Sequence, residues 1–442
     1  MKKLFLIIEH KVIRRFLYVF FYICYKLKLK NAFFVFFYIY IKFQINYKKI
    51  KYRNSKNLPI VLTFWRQSFL KDQLNLYSSK SINLIMIKPY VWATYTRVFY
   101  PKYMRGQIKY HLTNDETSNK IKKDVENFIY TVLKKLNNRN TVDGFVFGNV
   151  DYMEHQSWAG AAKRLDIPVV VLMCEGFFTK YWYERFINQD HFLNKTKFIY
   201  DKVFVPGNTS KNLAYEANIA EKKDIVVTGY PRTDTTFEIL QKSMSIDFEK
   251  KNLIVLIAFN EPNYFSDNLW NEVLEKFINL CKDNKNLDFL IKTKKDTLTE
   301  EILERLTVED KQMPNLKISH KIDIAEISNN LKVVISFAST FLIEMMSSEI
   351  PLLVPIWDDG MKSYSSGATY FDLENKSVTY TFSPNELDLE FYKLINGNVK
   401  KLSDDERNNL RLKRDKYIEP YLYKIDGKRT EFVSKEIIKL IK

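Results

Sequence analysis

Cysteine is scarce in this chain of 442 residues: Cys24, Cys174 and Cys281 stand far apart and show no CxxC or metal-ligand spacing. That argues against a disulfide framework and a zinc site, and it suits a reducing, cytoplasmic compartment. Glycine is scarce too, with 11 residues, and no glycine-rich phosphate loop stands out. Walker A, GxGxxG, GxSxG and HExxH sequences are all missing. ATPase, Rossmann dehydrogenase, α/β-hydrolase and zincin chemistries therefore lose their usual signatures. No internal repeat and no low-complexity tract follows residue 52.

Acidic residues nearly vanish from residues 1–52, which hold twelve Lys/Arg against one acid, Glu9, so +11 of the net +17 lies there. Two apolar, aromatic runs of ten share this segment, Phe16–Tyr25 and Ala32–Ile41, with Lys26, Lys28 and Lys30 between them. Ten helical residues rise roughly 15 Å, about half a bilayer core, so neither run spans a membrane by itself. Rings alternating with cations suit a helix lying at the headgroup level of an anionic membrane surface. Helices packed on the protein itself, or a spanning hairpin, are the alternatives. No small-residue cleavage site follows, which argues against a secretory signal. A duplex backbone offers nothing to bury such runs, so nucleic acid is not an expected partner.

Beyond Asn57 what is present is a βα texture, short β-branched runs alternating with amphipathic stretches, the pattern of parallel sheets. Strands are expected at Pro59–Phe64, Ile82–Ile87, Gly144–Phe147, Pro168–Met173, Lys202–Val205 and Ile225–Thr228. Helices are expected at Thr117–Leu136, Gln156–Leu165 and Thr209–Ala217. After a polar stretch the pattern restarts with strands Leu253–Ala258, Asp288–Lys292, Leu316–Ser319, Val333–Ser336 and Leu352–Pro355. Helices Asp267–Cys281, Ile324–Asn329, Thr340–Ser348 and Thr430–Ile441 accompany these strands. The expected fold class is α/β, with two Rossmann-like lobes whose parallel sheets face a cleft, plus an N-terminal basic aromatic helical extension. The expected divisions are a membrane-surface extension at 1–55, an acceptor lobe at 56–234, a linker at 235–252, a nucleotide-donor lobe at 253–425 and a C-terminal helix at 426–442.

Ligands of such sheets bind at the carboxyl ends of the strands, so residues just after each strand are the site candidates. Ser336, Ser339 and Thr340 form a hydroxyl-rich turn entering a helix, a seat for phosphate or an ordinary helix cap. Glu344 lies one turn on among apolar neighbours and suits ribose hydroxyls or an ion pair. Lys292 and Lys294 follow a strand and suit a departing pyrophosphate. His320 and Asn260 also follow strands and are candidates to line the same cleft. In the first lobe Glu175 is the favoured general base for an acceptor hydroxyl, with Asp151 in reserve and Glu154 and His155 close by.

Gly229-Tyr-Pro-Arg-Thr-Asp234 resembles the G-x-P-R-x-D segment of bacterial surface-polymer transferases. These are the CDP-glycerol glycerophosphotransferases and related capsule glycosyltransferases of GT-B fold. Ser336–Glu344 is similar to their donor motif, Asp426-Gly-Lys428 to their D-G-K ending, and Pro168–Gly176 to the strand before their acceptor site. The resemblance implies a metal-independent transferase, cytoplasmic and peripheral at the inner face of the cell membrane. It also implies a nucleotide-sugar or CDP-alditol donor as substrate, no separate cofactor, and a lipid-linked or polymer acceptor. Ser339, Thr340 and Glu344 would hold the donor, with Arg232 of the G-x-P-R-x-D segment beside them. One departure is Lys292-Thr-Lys294, which stands where relatives often carry His-Pro.

Overall fold

The computed structural model describes residues 16, 19–24, 26–27, 29–51, 58–137, 142–174, 198–244, 246–258, 267–293, 296–323, 327–337, 339–365, 377–396 and 403–441. They form two compact units. The first holds the described residues up to Cys174, those of 198–232, and the C-terminal stretch from Lys428. The second holds the described residues of Thr233–Gly427.

The first unit is built on six parallel strands: β1 (Ile60–Phe64), β2 (Asn83–Ile87), β3 (Gly144–Phe147), β4 (Val169–Leu172), β5 (Lys202–Val205) and β6 (Ile225–Val227). Their order is β2-β1-β3-β4-β5-β6, with Leu62 of β1 opposite Ile85 of β2 on one side and Phe145 of β3 on the other. β1, β3 and β4 are buried along their whole length. Helices cover both faces of such a sheet, which is why its strands read as continuous apolar runs. The C-terminal helix Arg429–Ile441 packs on this sheet, placing Val433 and Ile437 in a core with Val61, Val146 and Leu172. Two helices that the periodicity did not suggest, Leu70–Ser78 and Pro89–Phe99, follow β1 and β2. The second starts on Pro89 after an extended Lys88, a common way to open a helix.

Both N-terminal runs contain helix, at Phe16 and Val19–Cys24 and then over Lys30–Lys51. The two lie against one another through Phe20–Phe36 at 4.4 Å and Phe21–Phe37 at 6.1 Å between ring centroids. Phe37 and Ile41 are fully buried. The Phe37 ring meets Phe128 at 5.5 Å, Tyr95 at 6.2 Å and Trp158 at 6.4 Å. One side of the hairpin therefore packs on the protein.

The second unit repeats the plan with β7 (Leu253–Ile257), β8 (Asp288–Lys292), β9 (Leu316–Ser319), β10 (Leu331–Ser336), β11 (Leu352–Pro355) and β12 (Thr379–Thr381). Their order is β12-β11-β10-β7-β8-β9, again all parallel. Trp270, Phe277, Phe289 and Phe391 lead its core. The stretch 235–252 is not a bare connection, because the helix Arg232–Met244 runs into it and buries Leu240. The helix expected over Thr340–Ser348 ends at Met345. There the Ser347 and Ser348 hydroxyls donate to the carbonyls of Glu344 (2.7 Å) and Met345 (2.6 Å) and close the turn. Of the expected helix Ile324–Asn329, residues 324–326 lie outside the described residues, Ile327 is helical and Ser328 and Asn329 form a turn. The helix Asp404–Leu422 opens with a capping box in which Ser403 and Glu406 bond each other's backbone N–H.

Candidate functional site

Each sheet reverses its strand order once, between β1 and β3 in the first unit and between β7 and β10 in the second. A crevice opens beyond the carboxyl ends of the strands at such a reversal, because the connecting helices leave on opposite faces. The residues just after these four strands are therefore the ones the fold offers to a ligand.

In the second unit β10 delivers Ser336 to this edge. Its side chain is fully buried, and its hydroxyl donates to the Phe337 carbonyl at 3.0 Å. Ser339 is the N-cap of the following helix, its Oγ accepting the Phe341 N–H at 3.2 Å. Thr340 is the first helical residue, and Glu344 lies one turn on, partly buried. The helix has only six residues, so an anion here would rest on turn N–H groups and hydroxyls more than on a long macrodipole. Lys292 ends β8, next to β7, and its carbonyl accepts the Ala258 N–H at 3.0 Å. Asn260 and Lys294 lie outside the described residues. His320 follows β9 at the sheet edge, where its Nδ1 pairs with Asp296 at 2.8 Å, away from the reversal.

In the first unit the reversal is lined by charges and rings. Asp151 follows β3 and is buried, and its carbonyl meets His111 Nε2 at 2.8 Å. Glu154 opens the helix Met153–Lys163 and pairs with Arg66, which follows β1. The Arg66 guanidinium lies over the Tyr152 ring at 3.5 Å and the Trp92 ring at 5.1 Å. His155 is buried, stacks on Phe147 at 4.4 Å, and has Nδ1 3.3 Å from the Asn149 carbonyl. Burial, and then the nearby Arg66 charge, hold its pKa well below the ordinary value, so it stays neutral. Burial also lowers the His111 pKa. Gly148 leaves the room this edge needs, since a Cβ there would stand 3.0 Å from the Phe69 ring and 3.3 Å from Cys174 Sγ. Glu175 lies outside the described residues.

Arg232 is part of the first unit and is engaged there. Its N–H donates to Asp72 Oδ1 at 2.9 Å, and Nη1 reaches Asp72 Oδ2 at 3.5 Å and the Cys174 carbonyl at 3.3 Å. The guanidinium also lies over Tyr230 at 4.0 Å. Gly229 adopts φ +73°, a conformation that favours glycine, so the chain can turn after β6. Asn75 Nδ2 donates to the Pro231 carbonyl at 2.6 Å, and Thr430 Oγ1 lies 3.4 Å from the same oxygen. The Gly229–Asp234 segment thus joins β6, the Leu70–Ser78 helix, the end of β4 and the C-terminal helix.

Arg66, Trp92 and Asp72 were not among the sequence candidates. Arg66 carried the same signal that singled out Lys292, a cation just past a strand's carboxyl end.

No protein-family model matches the chain. No curated protein matches it either. Solved structures do. One assigned as a UDP-N-acetylglucosamine 2-epimerase of Listeria monocytogenes superposes with TM-score 0.51 at 12% identity, over 85% of this chain and 94% of that one. UDP-GlcNAc 2-epimerase of Neisseria meningitidis, bound to UDP-GlcNAc, gives 0.49 at 14% identity over 86% and 100%. A glycosyltransferase of Rickettsia africae gives 0.48 at 13% identity over 87% and 100%. With its two six-stranded parallel sheets, the chain has the two-lobe GT-B-like α/β fold.

Proposed function

We propose that the chain is a glycosyltransferase of cell-surface polysaccharide synthesis, making a capsule, O-antigen or teichoic-acid-like polymer. A sugar moves from a nucleotide-activated donor to a hydroxyl of a lipid-linked or polymer acceptor. The bond from sugar to donor phosphate breaks, the bond to the acceptor oxygen forms, and the nucleotide leaves. The reading is carried by one observation: the Ser336–Glu344 segment follows the strand at which the second sheet reverses its order.

In this reading Ser339, Thr340, Lys292 and Lys294 meet the donor phosphates, Glu344 meets the ribose, and Asn260 lines the same edge. Asp151 or Glu175 of the first unit takes the acceptor's proton. The role of Arg232 is to fix the first unit's edge, and His320 stays outside the donor set. The donor is the only small molecule required, and turnover needs no metal, so a chelator should leave it unchanged. The enzyme works at the inner face of the cell membrane, where lipid-carried acceptors are found.

The alternative is a CDP-alditol phosphotransferase of the same fold, because the Gly229–Asp234 segment resembles those enzymes as well as the capsule glycosyltransferases. A thermal-shift screen against CMP, CDP, UDP, GDP and ADP separates the two. A ligand at a hundred times its Kd adds about 2.7 kcal/mol to stability. One nucleotide standing out names the donor class. Replacing Glu344 by Ala should then weaken that nucleotide roughly tenfold, about 1.4 kcal/mol. Unchanged affinity in a folded variant removes Glu344 from the ribose contact. No shift with any nucleotide would turn the reading to a non-catalytic glycan-binding protein.

A further inference from the structure

We infer that the outward face of the N-terminal helical hairpin is a docking surface for an anionic lipid bilayer. The hairpin lies in the interfacial plane, while its inner face stays part of the first unit. This deepens, and rests on, the reading of a lipid-linked acceptor at the membrane.

The two sides of the hairpin have opposite fates. Phe21, Cys24, Phe37 and Ile41 are buried. Phe16, Val19, Ile23, Leu27, Phe36 and Ile39 are 47% to 68% exposed. Water-facing positions on a helix that packs one face on a protein are normally polar. Here both faces are apolar, and such a patch marks an interaction site.

Three observations favour lipid. Among the described residues no helix is long and apolar enough to cross a membrane. Crossing would also pull Phe37 away from Tyr95, Phe128 and Trp158, rings of the first unit that hold it. An in-plane position keeps those contacts and still covers the exposed face. The second observation is a set of cations against the hairpin's own rings. Lys26 lies over Tyr22 and Lys42 over Tyr38, each at 5.6 Å from the centroid. Lys135 of the neighbouring helix reaches Phe34 at 5.3 Å and Tyr38 at 4.9 Å. Amphipathic cations placed this way bury their stems and present charge to phosphate headgroups. The third is the net +11 of residues 1–52. It attracts an anionic leaflet and repels the same face of a second copy.

The test is flotation of the full chain with neutral vesicles and with vesicles containing anionic lipid. Wild type should float with the anionic vesicles and lose part of that binding at raised salt. The triple variant I23S/F36S/I39S changes only exposed positions and should bind roughly tenfold more weakly or worse. Its melting temperature should fall only by the few degrees that half-exposed side chains are worth, and its nucleotide-induced shift should match wild type. A triple variant that floats like wild type overturns the inference, and so does a wild type that ignores anionic vesicles. A dimer of wild type in light scattering that the triple variant abolishes would assign the face to a second copy instead. Flotation needs neither donor nor acceptor, so failure of the transferase reading, seen in the nucleotide screen, is distinguishable from failure of docking.

Discussion

Phe36 and Phe37 are neighbours of identical chemistry, and replacing each by Ala tests how the hairpin sits. Phe37 is fully buried against Phe128, Tyr95, Trp158 and Phe21. Truncating a buried Phe loses its transfer free energy and leaves a cavity, about 3–5 kcal/mol together. Phe36 is 51% exposed and rests one edge on Phe20. Its truncation forfeits about half of a buried Phe, roughly 1 kcal/mol. For a unit of this size each kcal/mol moves the melting temperature by about 2–4 °C. Phe37→Ala should therefore lower it by roughly 6–20 °C, and Phe36→Ala by about 2–4 °C. Urea unfolding followed by tryptophan fluorescence checks the difference, because Trp158 sits beside Phe37. If Phe37→Ala costs no more than Phe36→Ala, the hairpin is not part of the first unit and the packing argument fails.

Other expectations follow from buried charge. Arg232→Met removes the guanidinium that faces the fully buried Asp72 and should destabilise the first unit by about 3–5 kcal/mol in urea titration. A cost under about 1 kcal/mol would show the pair to be incidental. Arg414 is buried with its guanidinium on the carbonyls of Ser348, Ile350 and Ser377, and burial pushes its pKa down to about 10. Arg414→Leu strands those carbonyls and should cost the second unit about 3–5 kcal/mol, read as a lower denaturation midpoint. His155 is held neutral in the folded chain, below its ordinary value of 6.5. As pH falls below that value the unfolded chain binds a proton the folded chain refuses, so stability falls by up to about 1.4 kcal/mol per pH unit. His111 shifts in the same direction and adds to the slope. His155→Phe should flatten the slope by about one proton between about pH 7 and pH 5, and an unchanged slope would refute the assignment.

The strands were legible because a parallel strand covered on both faces must be apolar at every position. Gly144–Phe147 and Leu352–Pro355, buried at every position, begin and end where their residues suggest. Helices were harder where partners decide. Pro89–Phe99 is rich in aromatic and β-branched residues, which favour helix weakly, and it forms by packing Tyr95 beside Trp158. Asp404–Leu422 was not among the expected helices, although Ser403 and Glu406, a capping signature three residues apart, mark its start. In the candidate site, Ser339 announced itself as a hydroxyl between a strand and a helix. Arg66 showed only its place past a strand, and its partners were not readable, since the pairing with Glu154 and the stacking on Tyr152 join residues 88 and 86 positions away. No local pattern encodes a contact of that range.

The C-terminal helix has a consequence for the order in which the protein is made. Val433 and Ile437 complete a core whose other members are encoded by the first half of the chain. The first unit therefore leaves the ribosome unfinished and stays so while Thr233–Gly427 is synthesised. Domains that fold as they emerge ordinarily do so from the N-terminus onward. Here the described residues of the later unit all come from Thr233–Gly427, and that unit is the first able to close. A growing chain carries an unsealed apolar sheet until Arg429–Ile441 arrives, so a ribosome that stalls just before this helix should still expose chaperone-binding surface from the first unit although the second unit is complete.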